Sequence, residues 1–424
     1  MLLQFSVNNF RSIKDTVTFS MNTASNKEGA HSFQVRNTYL LNSAVIYGAN
    51  ASGKSNVLKA MGFMGAVVLN KPKITQSTDK LPHEPFRLNT ETDQASSYFE
   101  IIFFLENIKY RYGFEADSST VYAEWLYSDE NGKEARLFER DSEQHVHYVN
   151  KQKFKEGIGL KVPDNHLFIW KCDQNDGDIS KKILQWFTNF NVIDGLEREG
   201  YFHVALKQME NADTKSELLK LVKIADLGIE GINLEERKVP QDFIKNALIP
   251  EEIKQKILGD GGSLSSIELQ SFHKKFNAEN QEIGSVLFEL DEDESQGTQK
   301  FFALSAPVLD TLEKGKILLI DELDASLHPM LTECFIQLFN NKELNKHNAQ
   351  LIFVTHDIHL LSVPELFERD QIWFTEKNKY GSTDLYSLLE FRKNNKGKDV
   401  RATDNLEKHY LQGRFGGVPY IGEL

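Results

Sequence analysis

Three apolar segments, each ending in polar residues suited to chemistry, predict an α/β fold. Residues 42–47 run straight into Gly48-Ala49-Asn50-Ala51-Ser52-Gly53-Lys54-Ser55, a complete G-x-x-x-x-G-K-S loop, and residues 56–61 leave it as a helix. Residues 317–320 form a second buried-strand run that ends in Asp321-Glu322. Residues 351–355 form a third, closed by His356-Asp357.

The first segment has the strand–loop–helix context that a phosphate-binding loop requires. Gly48 and Gly53 let backbone N–H groups close around phosphates, and the helix N-terminus adds its positive dipole end. Asn50, Ser52 and Asn56 flank that cradle. Lys54 is expected to reach the β- and γ-phosphates of ATP, and the Ser55 hydroxyl to hold Mg²⁺. The second segment complements the first. Asp321 at a strand end can hold the same Mg²⁺, and Glu322 is placed to orient or deprotonate an attacking water. In the third, His356 can hydrogen-bond a γ-phosphate or that water, although a strand-end histidine also serves purely structural ends.

The chain has 424 residues, room for two or three domains or for one large domain with an insertion. Its 40% hydrophobic and 26% charged residues fit an ordinary globular protein. No apolar run reaches the length of about 18 residues that a membrane span needs. Residues 1–7 alternate like a strand and lack a basic segment with a cleavage site, so no signal peptide is expected. Cys172 and Cys334 stand far apart without metal-ligand spacing. They argue for a cytoplasmic location and for buried small side chains rather than a disulfide or zinc site. A net charge of −13 gives polyanions no overall attraction, which leaves nucleic acid only a local groove.

Residues 2–7 and 16–19 read as paired strands, followed by a second pair at 98–105 and 109–114 and a continuation at 121–127. From 181 to 258 the pattern turns helical, with apolar residues at helical spacing in 181–187 and 217–222. Pro250 before two glutamates marks a helix start, and the glycines of 259–262 mark a loop. Residues 267–276 and 285–290 read as strands leading back to the core. Three parts are expected: an N-terminal lobe at 1–180, a mainly helical insertion at 181–284, and a C-terminal lobe at 285–424. The basic run 393–398 reads as a solvated loop.

These motifs resemble those of ATP-binding-cassette ATPases, within them the SMC-like and OLD-like branch. The resemblance implies an ABC-type ATPase head with an N-terminal β-rich subdomain and a helical insertion. It makes Gly48–Ser55 Walker A and residues 317–322 Walker B, places Asp324 in the D-loop, and makes His356 the switch histidine. A signature sequence at a helix start should precede Walker B. Glu294-Ser295-Gln296-Gly297-Thr298 occupies that place and departs from the usual Leu-Ser-Gly-Gly form. Ser295 and Gly297 can still offer N–H groups to a phosphate, while Ser295 is equally a good N-cap residue.

Four further segments, residues 9–12, 85–88, 294–298 and 410–419, are similar to those of RloA/AbiL-type ATPases. That resemblance implies abortive-infection defence against phage beside a separate effector protein, and makes Arg11 a candidate nucleotide contact, otherwise an exposed turn residue. The expected function is a Mg²⁺-dependent ATPase that forms a homodimer around ATP and controls an effector. Two alternatives compete with it. An OLD-type nuclease would need a metal domain after His356, where only about seventy residues follow, too few for an ordinary domain of that kind. A RecF-like ATPase clamping DNA is disfavoured by the acidic balance.

Overall fold

The computed structural model describes residues 1–142, 144, 146–195, 199–209, 212–225, 228–238, 265–391 and 405–418. In chain order the first elements are β1 (Leu2–Asn8), β2 (Val17–Ser20), the ribbon β3 (Ser32–Val35) and β4 (Thr38–Leu41), and β5 (Ser43–Gly48). Then come helix α1 (Lys54–Val68), β6 (Ser97–Leu105), β7 (Ile108–Ala116), β8 (Val121–Asp129), β9 (Glu134–Asp141) and β10 (Val146–Val149). Helices α2 (Phe168–Gln174) and α3 (Asp178–Phe187) precede β11 (Phe190–Asp194), α4 (Glu199–Met209), α5 (Ala212–Ile224), β12 (Gly231–Lys238), β13 (Ser265–Phe276) and β14 (Glu282–Glu289). The chain continues through α6 (Gln296–Lys314), β15 (Ile317–Asp321), α7 (Pro329–Asn340), β16 (Gln350–Val354), β17 (Ile372–Lys377), β18 (Thr383–Ser387) and α8 (Leu406–Leu411).

The fold is mixed α/β. The chain divides into two units, Met1–Leu196 with Asp310–Ala325 and Thr332–Leu424, and Glu197–Leu309 with Ser326–Leu331. In the first unit a seven-stranded antiparallel sheet runs in the order β10-β9-β8-β7-β6-β1-β2. Period-two burial drives it: along β6 every second residue from Ser97 to Phe103 is buried. Glu106 and Asn107 both take φ near +50 to +60°, the left-handed geometry of a two-residue hairpin turn. The other sheet runs β11-β15-β16-β5-β17-β18, parallel except for β18. Its central strands β5 and β16 are buried along their whole length, as a sheet covered on both faces requires. One core unites both sheets with α1: Val57, Met61 and Met64 join Phe5 and Phe99 from one sheet and Leu319 and Ile352 from the other.

A charged group sits inside this core. Glu124 is fully buried, with Arg140 Nε at 3.2 Å, the Tyr112 hydroxyl at 3.1 Å and the N–H of Ile169 at 3.1 Å. Burial pushes its carboxyl above the ordinary range, against the pull of Arg140 and these donors. Arg140→Ala would strand the charge, and is expected to cost about 3–5 kcal/mol of stability, read as a lower urea midpoint.

In the second unit β12, β13 and β14 form an antiparallel sheet. Ile232 and Leu269 from it pack with Leu206, Met209, Leu218 and Val222 of α4 and α5, and with Phe302 and Ala306 of α6.

Several expectations need correction. The stretch 181–258 is not helical throughout, since 190–194 is β11 in the parallel sheet and 231–238 is β12. A five-residue strand is too short to show its period, and β12 is dominated by the charged run Glu235-Glu236-Arg237-Lys238. Strands β13 and β14 belong to the inserted sheet rather than returning to the core. The boundaries 181–284 and 285–424 also shift. Residues 181–196 fall in the first unit, and the proposed signature at 294–298 falls in the second. Cys172 is buried but Cys334 is only partly so. The expected helix start at Pro250, the glycines of 259–262 and the basic run 393–398 lie outside the described residues. Among the described residues no helix is long and apolar enough to cross a membrane.

Candidate functional site

Strand pairing assembles the site. The carboxyl end of β5 lies beside those of β16 and β17, with Ile46 opposite Val354 and Gly48 opposite Thr375. Beyond β16, Ile320 of β15 lies opposite Phe353, and Asp321 opposite Asp194. Gly48, Asp321, His356 and Lys377 therefore collect at one edge, the edge where parallel sheets hold ligands. There a cleft of about 760 Å³ is lined by Asn50, Ala51, Ser52, Gly53, Lys54, Ser55, Asn56, Glu322, His356 and Lys377.

The loop is held from beneath. Gly53 has φ +105°, and a Cβ there would meet the Thr383 hydroxyl at 2.1 Å, so only glycine fits. Thr383 Oγ1 donates to the carbonyl of Ser52 at 2.8 Å, and the hydroxyls of Ser52 and Thr375 share a 2.6 Å hydrogen bond. Asn56 Nδ2 donates to Ser12 Oγ at 2.7 Å, which ties the first turn of α1 to the N-terminal segment.

Lys54 is buried, and its ammonium donates to the carbonyls of Gly48 and Ala49 at 2.8 and 3.0 Å. Burial pulls its pKa below the ordinary lysine value, while Asp321, Glu322 and Asp324 pull the other way. Ser55 Oγ donates to Asp321 Oδ1 at 2.9 Å across 266 residues of chain. A hydroxyl and a carboxylate in contact are hard oxygen donors that suit Mg²⁺. Among the described residues no cluster of three His, Cys, Asp or Glu is able to hold a metal by itself. A cation at Ser55 and Asp321 thus needs further oxygens, which a phosphate chain and water supply.

Glu322 takes φ +54°, a left-handed backbone that a non-glycine residue adopts at some cost. It turns the chain at the end of β15 and faces the cleft. Asp324 does not line the cleft. Its carboxylate accepts from the backbone N–H of His356 at 3.2 Å, which fixes the histidine segment against the acidic turn.

The remaining expected residues lie elsewhere. Arg11 is absent from the cleft lining; it pairs with Glu84 and lines a neighbouring cleft of about 590 Å³ that shares Lys377. Asn9, two residues earlier, is buried and accepts from the N–H of Phe86 at 2.9 Å, so the motifs at 9–12 and 85–88 touch directly. Ser295 and Gly297 belong to the inserted unit, where Ser295 Oγ accepts from the N–H of Thr298 at 3.1 Å and caps α6. Lys377, Thr375 and Thr383 were not anticipated from sequence. The signal was available in the apolar run 372–374 ending in Glu376-Lys377, one more strand at the same edge.

Several solved structures are similar to this chain at low identity and low TM-score. The SMC head domain from Thermotoga maritima has 13% identity and a TM-score of 0.41, covering 91% of this chain and 98% of that one. The Smc head domain of Pyrococcus furiosus, with an extended coiled coil and bound to the C-terminal domain of ScpA, has 14% identity and a TM-score of 0.36 over 92% and 96%. The recombination mediator RecF with ATPrS has 13% identity and a TM-score of 0.33 over 91% and 98%. No curated protein matches the sequence. The family described as "AAA domain, putative AbiEii toxin, Type IV TA system" matches residues 43–362, well over half of the chain, including the phosphate loop, Asp321-Glu322 and His356. The protein therefore belongs to this AAA-domain family and is a P-loop ATPase-domain protein of mixed α/β fold.

Proposed function

We propose that this protein is a Mg²⁺-dependent ATPase of ABC type that closes as a homodimer on ATP and thereby controls a separate effector in defence against phage. The observation that carries the reading is the 2.9 Å contact of Asp321 with Ser55, which lines the cleft together with Lys54, Glu322 and His356. That donor set matches the parts of phosphoryl-transfer sites that use positioning and charge rather than covalent chemistry.

The loop N–H groups and Lys54 hold the phosphate chain, with Asn50 and Asn56 at its flanks. Ser55 and Asp321 would hold Mg²⁺, which when bound would neutralise phosphate charge. Glu322 orients a water and takes its proton. His356, fixed through its backbone by Asp324, faces the same cleft. Ser295 and Gly297 of a second copy complete each site from across the dimer, and Arg11, which lines the neighbouring cleft that shares Lys377, is a further candidate nucleotide contact.

The defence setting rests on the RloA/AbiL-like segments, and the family description, which names a type IV toxin–antitoxin system, fits it. Calorimetric titration with ATP, with and without Mg²⁺, tests the site. Binding should strengthen with Mg²⁺ in the parental protein, and Ser55→Ala should remove most of that gain. Sedimentation should show a dimer only with ATP. Phage plating on cells carrying the chain and its neighbouring reading frame tests the biology, and protection that survives loss of nucleotide binding would count against it. A DNA-clamping role would instead appear as ATP-dependent, salt-sensitive binding to duplex DNA.

A further inference from the structure

The segment around 410–418 has no part in the chemistry above, yet it lies directly behind the phosphate loop. Tyr47, the residue before Gly48, is buried beside Phe374 of the adjacent strand β17, with ring centroids 6.3 Å apart. Tyr410 of α8 covers both. Its ring is 5.6 Å from Phe374 at an interplanar angle of 17° and 6.0 Å from Tyr47. Phe415 packs on Phe374 at 5.6 Å.

Hydrogen bonds then fold the chain end over the loop. Tyr410 Oη donates to the carbonyl of Gly417 at 2.9 Å, and Tyr386 Oη to that of Phe415 at 2.9 Å. Burial pushes the Tyr410 phenol up to about 12, so it is a donor throughout the physiological range. At Gly417, φ is +65°, and a Cβ would stand 3.5 Å from Gly48 Cα and 3.3 Å from the carbonyl of Thr375. The same helix α8 packs on the short helix Ile358–Ser362 that follows His356. Tyr47 Oη donates to the carbonyl of Asp357 at 3.2 Å, which links the two contacts.

We infer that the segment around 406–418 is a brace that positions the phosphate loop from behind, with Tyr410 and Gly417 as positioning residues that tune nucleotide affinity. The inference rests on the reading of residues 48–55 as the ATP-binding loop. The physical reason is that Gly48 starts that loop in a crowded corner, where a Cβ on Gly48 would strike Thr375 and Ser52 and a Cβ on Gly417 would come against Gly48 Cα and the Thr375 carbonyl. Crowding that corner displaces the N–H groups that must converge on phosphate, and weakening one charge-assisted hydrogen bond lowers affinity by about tenfold or more.

Two glycines separate positioning from simple stability. Gly413 and Gly417 take nearly the same left-handed backbone, at φ +68° and +65°, but a Cβ on Gly413 meets only Val418. Gly413→Ala and Gly417→Ala should therefore lower the unfolding midpoint alike. ATP titration of the full chain with Mg²⁺ should give the parental Kd for Gly413→Ala and a Kd raised about tenfold or more for Gly417→Ala. Tyr410→Phe, which removes only the hydroxyl, should raise Kd by about threefold with little change in midpoint. Equal Kd values for the two glycine variants overturn the brace, as does a parental Kd for Tyr410→Phe if Gly417→Ala fails to fold. A parental protein that binds no ATP overturns the proposed function itself and the brace with it.

Discussion

Glu322→Gln is expected to bind ATP with the parental affinity and to lose turnover by about 10²–10⁴-fold, the usual contribution of a positioned general base. The carboxamide keeps the shape of the side chain and the left-handed turn at φ +54°, so the neighbouring contact between Ser55 and Asp321 should persist. Only the ability to take a proton is removed. With hydrolysis stalled, the ATP-bound dimer should accumulate, visible by sedimentation at ATP concentrations where the parental protein returns to monomer. A parental rate of phosphate release in this variant would remove Glu322 from the mechanism.

Lys54→Ala should act earlier, on binding. A charge-assisted hydrogen bond contributes about 1.5–3 kcal/mol, so ATP affinity should fall by about ten- to a hundredfold. The effect is specific because this ammonium is the buried cation of the cleft, facing Asp321, Glu322 and Asp324. Without it less positive charge offsets the repulsion between the carboxylates and an anionic ligand. The protonated form binds phosphate, and burial lowers the folded pKa below the ordinary 10.5. Affinity should therefore be full at neutral pH and fall as pH rises toward the lysine range. Lys54→Ala should show no such alkaline loss. Calorimetric titration across pH tests both statements, and an alkaline decline of equal size in the two proteins would assign it to another group.

Much of the fold and of the candidate cleft was legible along the chain because the relevant residues are contiguous. The loop at 48–55 carries its own strand, glycines and helix, so its context could be read without any long-range contact. Asp321-Glu322 and His356 each follow an apolar run long enough to mark a buried strand end. The hairpin of β6 and β7 was also visible, as two alternating runs at 98–105 and 109–114 with a short gap between them.

What failed has a common cause. β11 has five residues and β12 ends in four charged ones, so neither shows its period strongly enough to outweigh the helical segments around it. Their strand character comes from partners. β11 is ordered by pairing with β15, and β12 by pairing with β13. Lys377 escaped notice because a lone lysine at the end of a short run has no local signature.

Local chemistry, then, was determined by the sequence alone: a phosphate loop, an acidic strand end, a strand-end histidine and an α/β alternation. Tertiary structure alone decided which of these meet. It set Ser55 against Asp321 across 266 residues, assigned the capped segment at Ser295 to the inserted unit, and folded Tyr410 and Gly417 behind Gly48. The physical reason is that side-chain pattern is a property of neighbours along the chain. Strand order, register and the packing of aromatic rings follow from burial shared between segments hundreds of residues apart, and no single segment encodes them.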